Sequence, residues 1–172
     1  MLRLRQYEPG DAQCILAWLK DEFAFRQWSA NRYDCFPIAP EEMNAYYEKA
    51  KKEDGIFCMT ALDEDEIAGH FTLRFPRKGD TSEARLGFVI LDDKKRGKGY
   101  GKQMVCLAVQ YAFEVLNVQK VSLSVFENNT PAIGCYRACG FREVHRERIE
   151  QYPYLGQMWK CMEMQLQNST GH

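Results

Sequence analysis

The residues with the most chemical content lie in two stretches. The first is Asp92-Asp93-Lys94-Lys95-Arg96-Gly97-Lys98-Gly99-Tyr100-Gly101-Lys102. Alternating glycines at 97, 99 and 101 allow a tight turn with uncovered backbone amides, and a helical pattern begins at 99. Free N–H groups at a helix start, a positive dipole end and five basic side chains within 94–102 suit a phosphate or pyrophosphate. Two common phosphate loops do not fit. A Walker loop needs Gly-Lys-Ser/Thr, but Gly101-Lys102 is followed by Gln103, and Arg96 stands where the earlier glycine belongs. A dinucleotide fingerprint begun at Gly97 and Gly99 would need its third glycine at 102, which is Lys102. The pattern that remains is Arg-x-x-Gly-x-Gly, met by Arg96, Gly99 and Gly101; a basic connection with no ligand is the alternative.

The second stretch is Asn128-Asn129-Thr130-Pro131-Ala132-Ile133-Gly134-Cys135-Tyr136-Arg137-Ala138-Cys139-Gly140-Phe141. With both stretches in view, the chain resembles the GNAT superfamily of N-acetyltransferases. Arg96-Gly97-Lys98-Gly99-Tyr100-Gly101 is similar to that family's acyl-CoA pyrophosphate loop. Asn129, Ala132, Tyr136 and Gly140-Phe141 match its N-x-x-A-x-x-x-Y-x-x-x-G-F segment. The aromatic segment 23–36 resembles the subgroup of ribosomal-protein N-terminal and spermidine acetyltransferases.

Acyl transfer from a thioester to an amine needs a held cofactor, a polarised carbonyl, a deprotonated amine and a proton for the departing thiolate. Arg96, Gly97, Lys98, Gly99, Tyr100, Gly101 and Lys102 are the expected pyrophosphate site. The resemblance implies that the backbone of Phe88, Val89 and Ile90 pairs with the pantetheine arm, with an amide there facing the thioester oxygen. It also implies that Tyr136 points at the sulfur as general acid, where packing on an amphipathic helix is the alternative. Asn129 reads as a helix cap, as a partner of the pantetheine arm, or as both. The candidate bases are Glu83, just before the strand carrying the oxyanion amide, and Glu127, after the strand opposite. Tyr154 is a further candidate for the acceptor side. Acids and aromatics within 21–42 are expected to form the mouth of the acceptor groove and to suit a cationic amine.

The expected reaction is acetyl transfer from acetyl-CoA to a primary amine, a protein N-terminus or a small cationic amine, within a ternary complex. Neither motif places a cysteine, so no covalent route through Cys135 or Cys106 is expected. The rival reading is a non-catalytic acyl-CoA-binding or sensing module. Nucleic-acid binding is set aside because the basic cluster is confined to one turn.

These groups require a scaffold that the periodicities outline. Strands are expected at 2–5, 56–62, 67–75, 84–91, 121–125, 141–149 and 159–166, with helices after 11, at 40–52, 99–116 and 129–139, and irregular chain at 23–36. The helix between the third of the central strands and 121–125 implies a right-handed crossover and one parallel pair in an otherwise antiparallel sheet. The expected fold is therefore a single α/β (α+β) GNAT-like domain over 1–172. Its mixed sheet would hold a central parallel pair splayed around the cofactor, with helices on both faces and a frayed tail at 167–172.

Composition bounds the rest. A chain of 172 residues suits one domain, and 45% hydrophobic with 27% charged residues describes a globular rather than a disordered chain. Lys+Arg 23 against Asp+Glu 24 leaves a net charge of -1, so no global cationic field attracts nucleic acid. No stretch is apolar enough to span a bilayer or to act as a signal peptide, so a cytoplasmic location is expected. Cys14, Cys35, Cys58, Cys106, Cys135, Cys139 and Cys161 are odd in number and form no C-x-x-C pair, which fits reduced thiols. With three histidines, no metal site is expected. The resemblance further implies a homodimer.

Overall fold

Alternating side chains near the N-terminus form an edge strand, β1 (Leu2–Gln6), from which the chain enters three helices: α1 (Asp11–Ala17), α2 (Glu22–Ser29) and α3 (Pro40–Asp54). A computed structural model describes residues 1–169. The helices are followed by β2 (Phe57–Asp63), β3 (Glu66–Arg74) and β4 (Glu83–Leu91), then a single 3-10 turn at Asp93–Lys95 and α4 (Tyr100–Glu114). β5 (Lys120–Phe126), α5 (Thr130–Ala138), β6 (Arg142–Val144), β7 (Gln151–Tyr154) and β8 (Gln157–Gln167) complete the chain. The sheet order is β1-β2-β3-β4-β5-β8-β6, with β7 paired to β8. Every pairing is antiparallel except β4–β5, as the crossover through α4 requires.

Two cores flank the sheet. Strand residues alternate between its faces, so Leu73, Leu86, Val121 and Leu123 meet Met104, Ala108 and Ala112 of α4 and Ile133 of α5. The other face buries Ile15, Phe25, Trp28, Met43 and Tyr47 of the first three helices against Cys58 and Ile90. This is the expected single α/β domain with a mixed sheet and helices on both faces.

Three local expectations need correction. Segment 23–36 is not wholly irregular: α2 forms because Asp21 accepts a hydrogen bond from the Ala24 amide (2.8 Å) and because Phe25, Trp28 and Ser29 share a buried face. Phe23, exposed on the opposite side, blurs that periodicity. The strand expected over 141–149 stops at Val144, where the exposed charged run from His145 begins. The stretch around Pro153 is a strand, not a loop, so Tyr154 lies at the end of β7. Leu155 and Gly156 both have positive φ (52° and 76°), the geometry of a two-residue hairpin, and Pro153 is tolerated on an edge strand. Of the expected frayed tail, Gln167 pairs with Lys120 and the Asn168 amide donates to the Gln119 carbonyl (2.8 Å); residues 170–172 lie outside the described residues.

Candidate active site

The site follows from how briefly β4 and β5 stay together. They are paired at Glu83–Lys120, Ala84–Val121 and Arg85–Ser122 and at no later position. Beyond that point they diverge into a wedge. On its β3 side, β4 also leaves register: His70 opposes Ile90 and Thr72 opposes Gly87, so Phe88 and Val89 together face Phe71 alone. This bulge puts Phe88 at φ 49°, a conformation unfavourable for a bulky side chain. The Trp28 indole N–H holds it in place by donating to the Phe88 carbonyl (3.0 Å). The backbone of 88–90 is thereby turned toward the wedge with no strand opposite it on the β5 side.

A cleft of about 650 Å³ fills the wedge between α4 and α5 and ends at the glycine-rich turn. Gly97 and Gly99 have φ of 76° and 85°, which glycine adopts at little cost. Gly99 is the N-cap of α4 and supplies no side-chain cap, so the amides of the first turn remain available to an anion. The basic residues of the turn divide. Arg96 and Lys102 line the cleft, whereas Lys98 and Tyr100 do not. Lys95 binds Asp63 (2.9 Å) and lies over the Tyr100 ring, which ties the turn to the β2–β3 hairpin and holds the Asp63 carboxyl below the usual range. Uncovered amides, two free-facing cations and the length of the cleft fit a pyrophosphate followed by an extended arm.

Asn129, the N-cap of α5, accepts from the Ala132 amide at 3.4 Å and lines the cleft. Tyr136 lies on the same wall, one turn beyond Ala132; burial raises its phenol pKa, so it stays protonated at neutral pH. Cys135 also faces the cleft. Its side-chain contact with Cys139 and the charge of Lys102 together outweigh burial and lower its pKa to about 7. Cys106 does not line the cleft; its sulfur is 3.5 Å from that of Cys139. All seven cysteines are free thiols.

The candidate bases lie elsewhere. Glu83 is buried at the closed end of the wedge, where it accepts from the Ser122 hydroxyl (2.5 Å) and meets Lys120 (3.4 Å). Burial disfavours its charge, but Ser122 and Lys120 prevail and keep its pKa below the usual carboxylate range. It lines neither the cleft nor the pocket described next. Glu127 is exposed and belongs to a separate recess of about 70 Å³ with Arg146 and Arg148.

A second pocket, of about 300 Å³, opens on the α3 face of the sheet and shares Gln27, Trp28, Leu86, Gly87, Phe88 and Ser124 with the cleft. The two cavities therefore meet at the β4 bulge. The acids of 21–42 do not line this pocket, contrary to the expected acidic mouth. Asp21 caps α2, Glu22 pairs with Arg26 (3.6 Å), and Glu42 accepts from the Ala39 amide (2.6 Å) at the start of α3. Carboxylates do reach it from Asp54 and from Glu150, next to Tyr152 of β7. Neither acid stands out in the sequence, because the hairpin that brings Glu150 there is not apparent from periodicity. Tyr154 does not line the pocket; its ring packs on Trp159 and lies beneath the Arg26 guanidinium. Among the described residues no group of His, Cys, Asp or Glu is arranged to hold a metal ion, and no helix is long and apolar enough to cross a membrane.

Comparison with known proteins assigns this architecture. The model of the acetyltransferase (GNAT) family matches residues 15–141. Spermidine N(1)-acetyltransferase of Escherichia coli K12 is 34% identical over 164 residues, covering 95% of this chain and 84% of that protein. The spermidine N(1)-acetyltransferase of Vibrio cholerae is 34% identical over 143 residues, covering 83% and 79%. A crystal structure of spermidine N-acetyltransferase from Vibrio cholerae in complex with CoA and spermine superposes with a TM-score of 0.81 at 23% identity, over 98% of this chain and 96% of that one, and establishes the shared fold. The chain that folds into this wedge, bulged strand and glycine-rich turn therefore belongs to the GNAT acetyltransferase family.

Proposed function

We propose that the protein transfers an acetyl group from acetyl-CoA directly to a primary amine, with both substrates bound at once. The observation that carries this reading is the meeting of two cavities at the Phe88 bulge: one ends in the basic glycine-rich turn, the other opens on the opposite side. Acetyl-CoA supplies the activated acetyl thioester. Arg96, Lys102 and the first amides of α4 bind its pyrophosphate, and Asn129 and the backbone of 88–90 hold the arm in the wedge. An amide of the bulge, freed from the ladder, is set to donate to the thioester oxygen as negative charge develops there. The Tyr136 hydroxyl gives its proton to the departing sulfur, a role that its protonated state at neutral pH supports. Glu150, at the edge of the second pocket, takes the amine proton through water.

The name of the curated relatives makes spermidine one arm of the acceptor screen. A thermal-shift comparison of acetyl-CoA with ATP tests the cosubstrate. Tyr136→Phe is expected to keep the acetyl-CoA shift and to lower kcat by roughly 100-fold, within the usual range for a lost proton donor. Cys135→Ser is expected to retain turnover, and mass spectrometry of the enzyme incubated with acetyl-CoA to show no added acetyl group. Loss of activity in Cys135→Ser together with an acetylated wild-type chain would refute direct transfer. A normal acetyl-CoA shift with no turnover of any amine would instead favour a binding module.

A further inference from the structure

The second pocket is floored by cations. Arg74 and Arg85 are direct partners across the antiparallel β3–β4 pair, so their side chains leave the same face of the sheet, and both line the pocket together with Arg32. Like charges placed opposite one another destabilise a sheet unless each has a counter-ion. Arg85 has one: it makes a two-pronged pair with Glu163 (2.7 and 2.9 Å), a carboxylate only 6% exposed that also binds Arg146 (2.8 Å). Arg74 has none within ion-pair distance. It is half-buried, and among the described residues its side chain makes no hydrogen bond or ion pair, although the charge of Asp54 favours it from further away. The carboxylates that line the pocket, Asp54 and Glu150, are both exposed.

We propose that the acceptor amine carries its own anion, a carboxylate or comparable oxoanion, and that Arg74 binds it. The inference rests on the acetyltransferase reading of this site and specifies its substrate class. Burial, then the charges of Arg85 and Arg32, lower the pKa of Arg74, and the more distant Asp54 offsets them only in part. A ligand anion would supply a close counter-charge in the two-pronged geometry that arginine favours. Arg74 and Arg85 stand two residues along their strands from Thr72 and Gly87, a separation of about 7 Å, and Phe88 follows Gly87. That distance places the anion within a few bonds of an amine reacting at the bulge. A cavity of about 300 Å³ is at the small end of ligand sites and suits a free amino acid or aminoalkyl oxoanion. A polyamine would bring only positive charge to this floor.

The test compares matched acceptors, phenylalanine against phenethylamine and leucine against isopentylamine, with spermidine alongside, in a CoA-release assay. At least one α-amino acid is expected to exceed its decarboxylated partner by roughly tenfold or more in kcat/KM, mainly through KM, the worth of one charge-assisted pair. Arg74→Gln should bring that ratio close to one, with the acetyl-CoA thermal shift reporting separately that the variant folds and binds its cosubstrate. A preference for spermidine or for the decarboxylated amines overturns the inference, as does an Arg74→Gln variant with an unchanged ratio. If no amine of any class is turned over, the transferase reading falls. Calorimetric titration of the same amino acids and amines into the CoA-loaded protein then still decides the charge of the ligand.

Discussion

His70 offers a stability test that can be worked through from its surroundings. Its side chain is fully buried on β3, with the Tyr47 hydroxyl 2.7 Å from Nε2, and burial lowers its pKa to about 3. An unfolded histidine titrates near 6.5. Between those values the unfolded chain binds a proton that the native chain refuses, so stability is complete above pH 6.5 and is lost as the pH falls. At pH 5 the unfolded state gains about 2 kcal/mol from this one group, whereas at pH 7 the gain is about a tenth of that. For a chain of this size that is a fall in Tm of about 4–8 °C, or roughly 1 M in urea midpoint. The measurement is urea unfolding at pH 7 and pH 5 for the wild type and for His70→Gln, which keeps a hydrogen-bonding atom near Tyr47. The variant is expected to be less stable at pH 7 but to lose about 2 kcal/mol less than the wild type on acidification. Every other titrating group is common to both proteins, so the difference belongs to position 70. Equal losses in the two proteins would refute a buried, neutral His70.

Two substitutions probe the packing that shapes the wedge. A Cβ added at Gly69 would lie 2.4 Å from the sulfur of fully buried Met104 and 3.1 Å from the Ile90 carbonyl. Met104 can partly yield, so Gly69→Ala is expected to cost about 1–2 kcal/mol by thermal unfolding and to weaken acetyl-CoA binding, since Met104 and Ile90 both line the cleft. Glu163→Ala strips Arg85 and Arg146 of their shared carboxylate and is expected to cost about 3 kcal/mol; a loss below about 1 kcal/mol would show that solvent or a neighbouring group takes over the pair.

What the sequence disclosed, and what it hid, follows from the range of each interaction. The glycine-rich turn and the 129–141 segment are local. Their function depends on backbone conformation and on residues three or four apart, so spacing alone points to an anion site and a tyrosine on its wall. Even there, Lys95 and Tyr100 are drawn away by Asp63, some 30 residues distant in sequence, and Lys98 does not reach the cleft. The parallel β4–β5 pair is implied by the helix between its strands, but the divergence after Arg85 and the bulge at Phe88 come from register. Pattern does not record register. The candidate bases show the same limit: Glu83 is near Phe88 along the chain, yet it stands at the closed end of the wedge. Glu150 reaches the pocket through a hairpin whose turn, Leu155-Gly156, lacks the usual Asn-Gly or Asp-Gly signal.

Charge shows most clearly why acceptor chemistry must be read from the folded chain. Segment 21–42 is rich in acids and aromatics and, taken linearly, describes a wall for a cationic amine. Folding assigns those acids to other work, because helix starts present unpaired amides that a nearby carboxylate satisfies at little cost, as Asp21 and Glu42 do. The aromatics remain: Trp28 and Tyr46 still line the pocket. Besides Arg32, Asp54 and Glu150, the pocket draws charge from the strands, where Arg74 and Arg85 lie 11 positions apart in sequence and side by side in the sheet. Glu163 pairs with one of them from β8, and the other lines the cavity with no carboxylate within ion-pair distance among the described residues. On the proposed reading, acceptor preference is set less by the helices over the site than by one guanidinium on the sheet beneath it that has no ion-pair partner. On that reasoning, replacing Arg74 with a carboxylate should move the preference further toward polyamines than any change among the acids of α2 and α3.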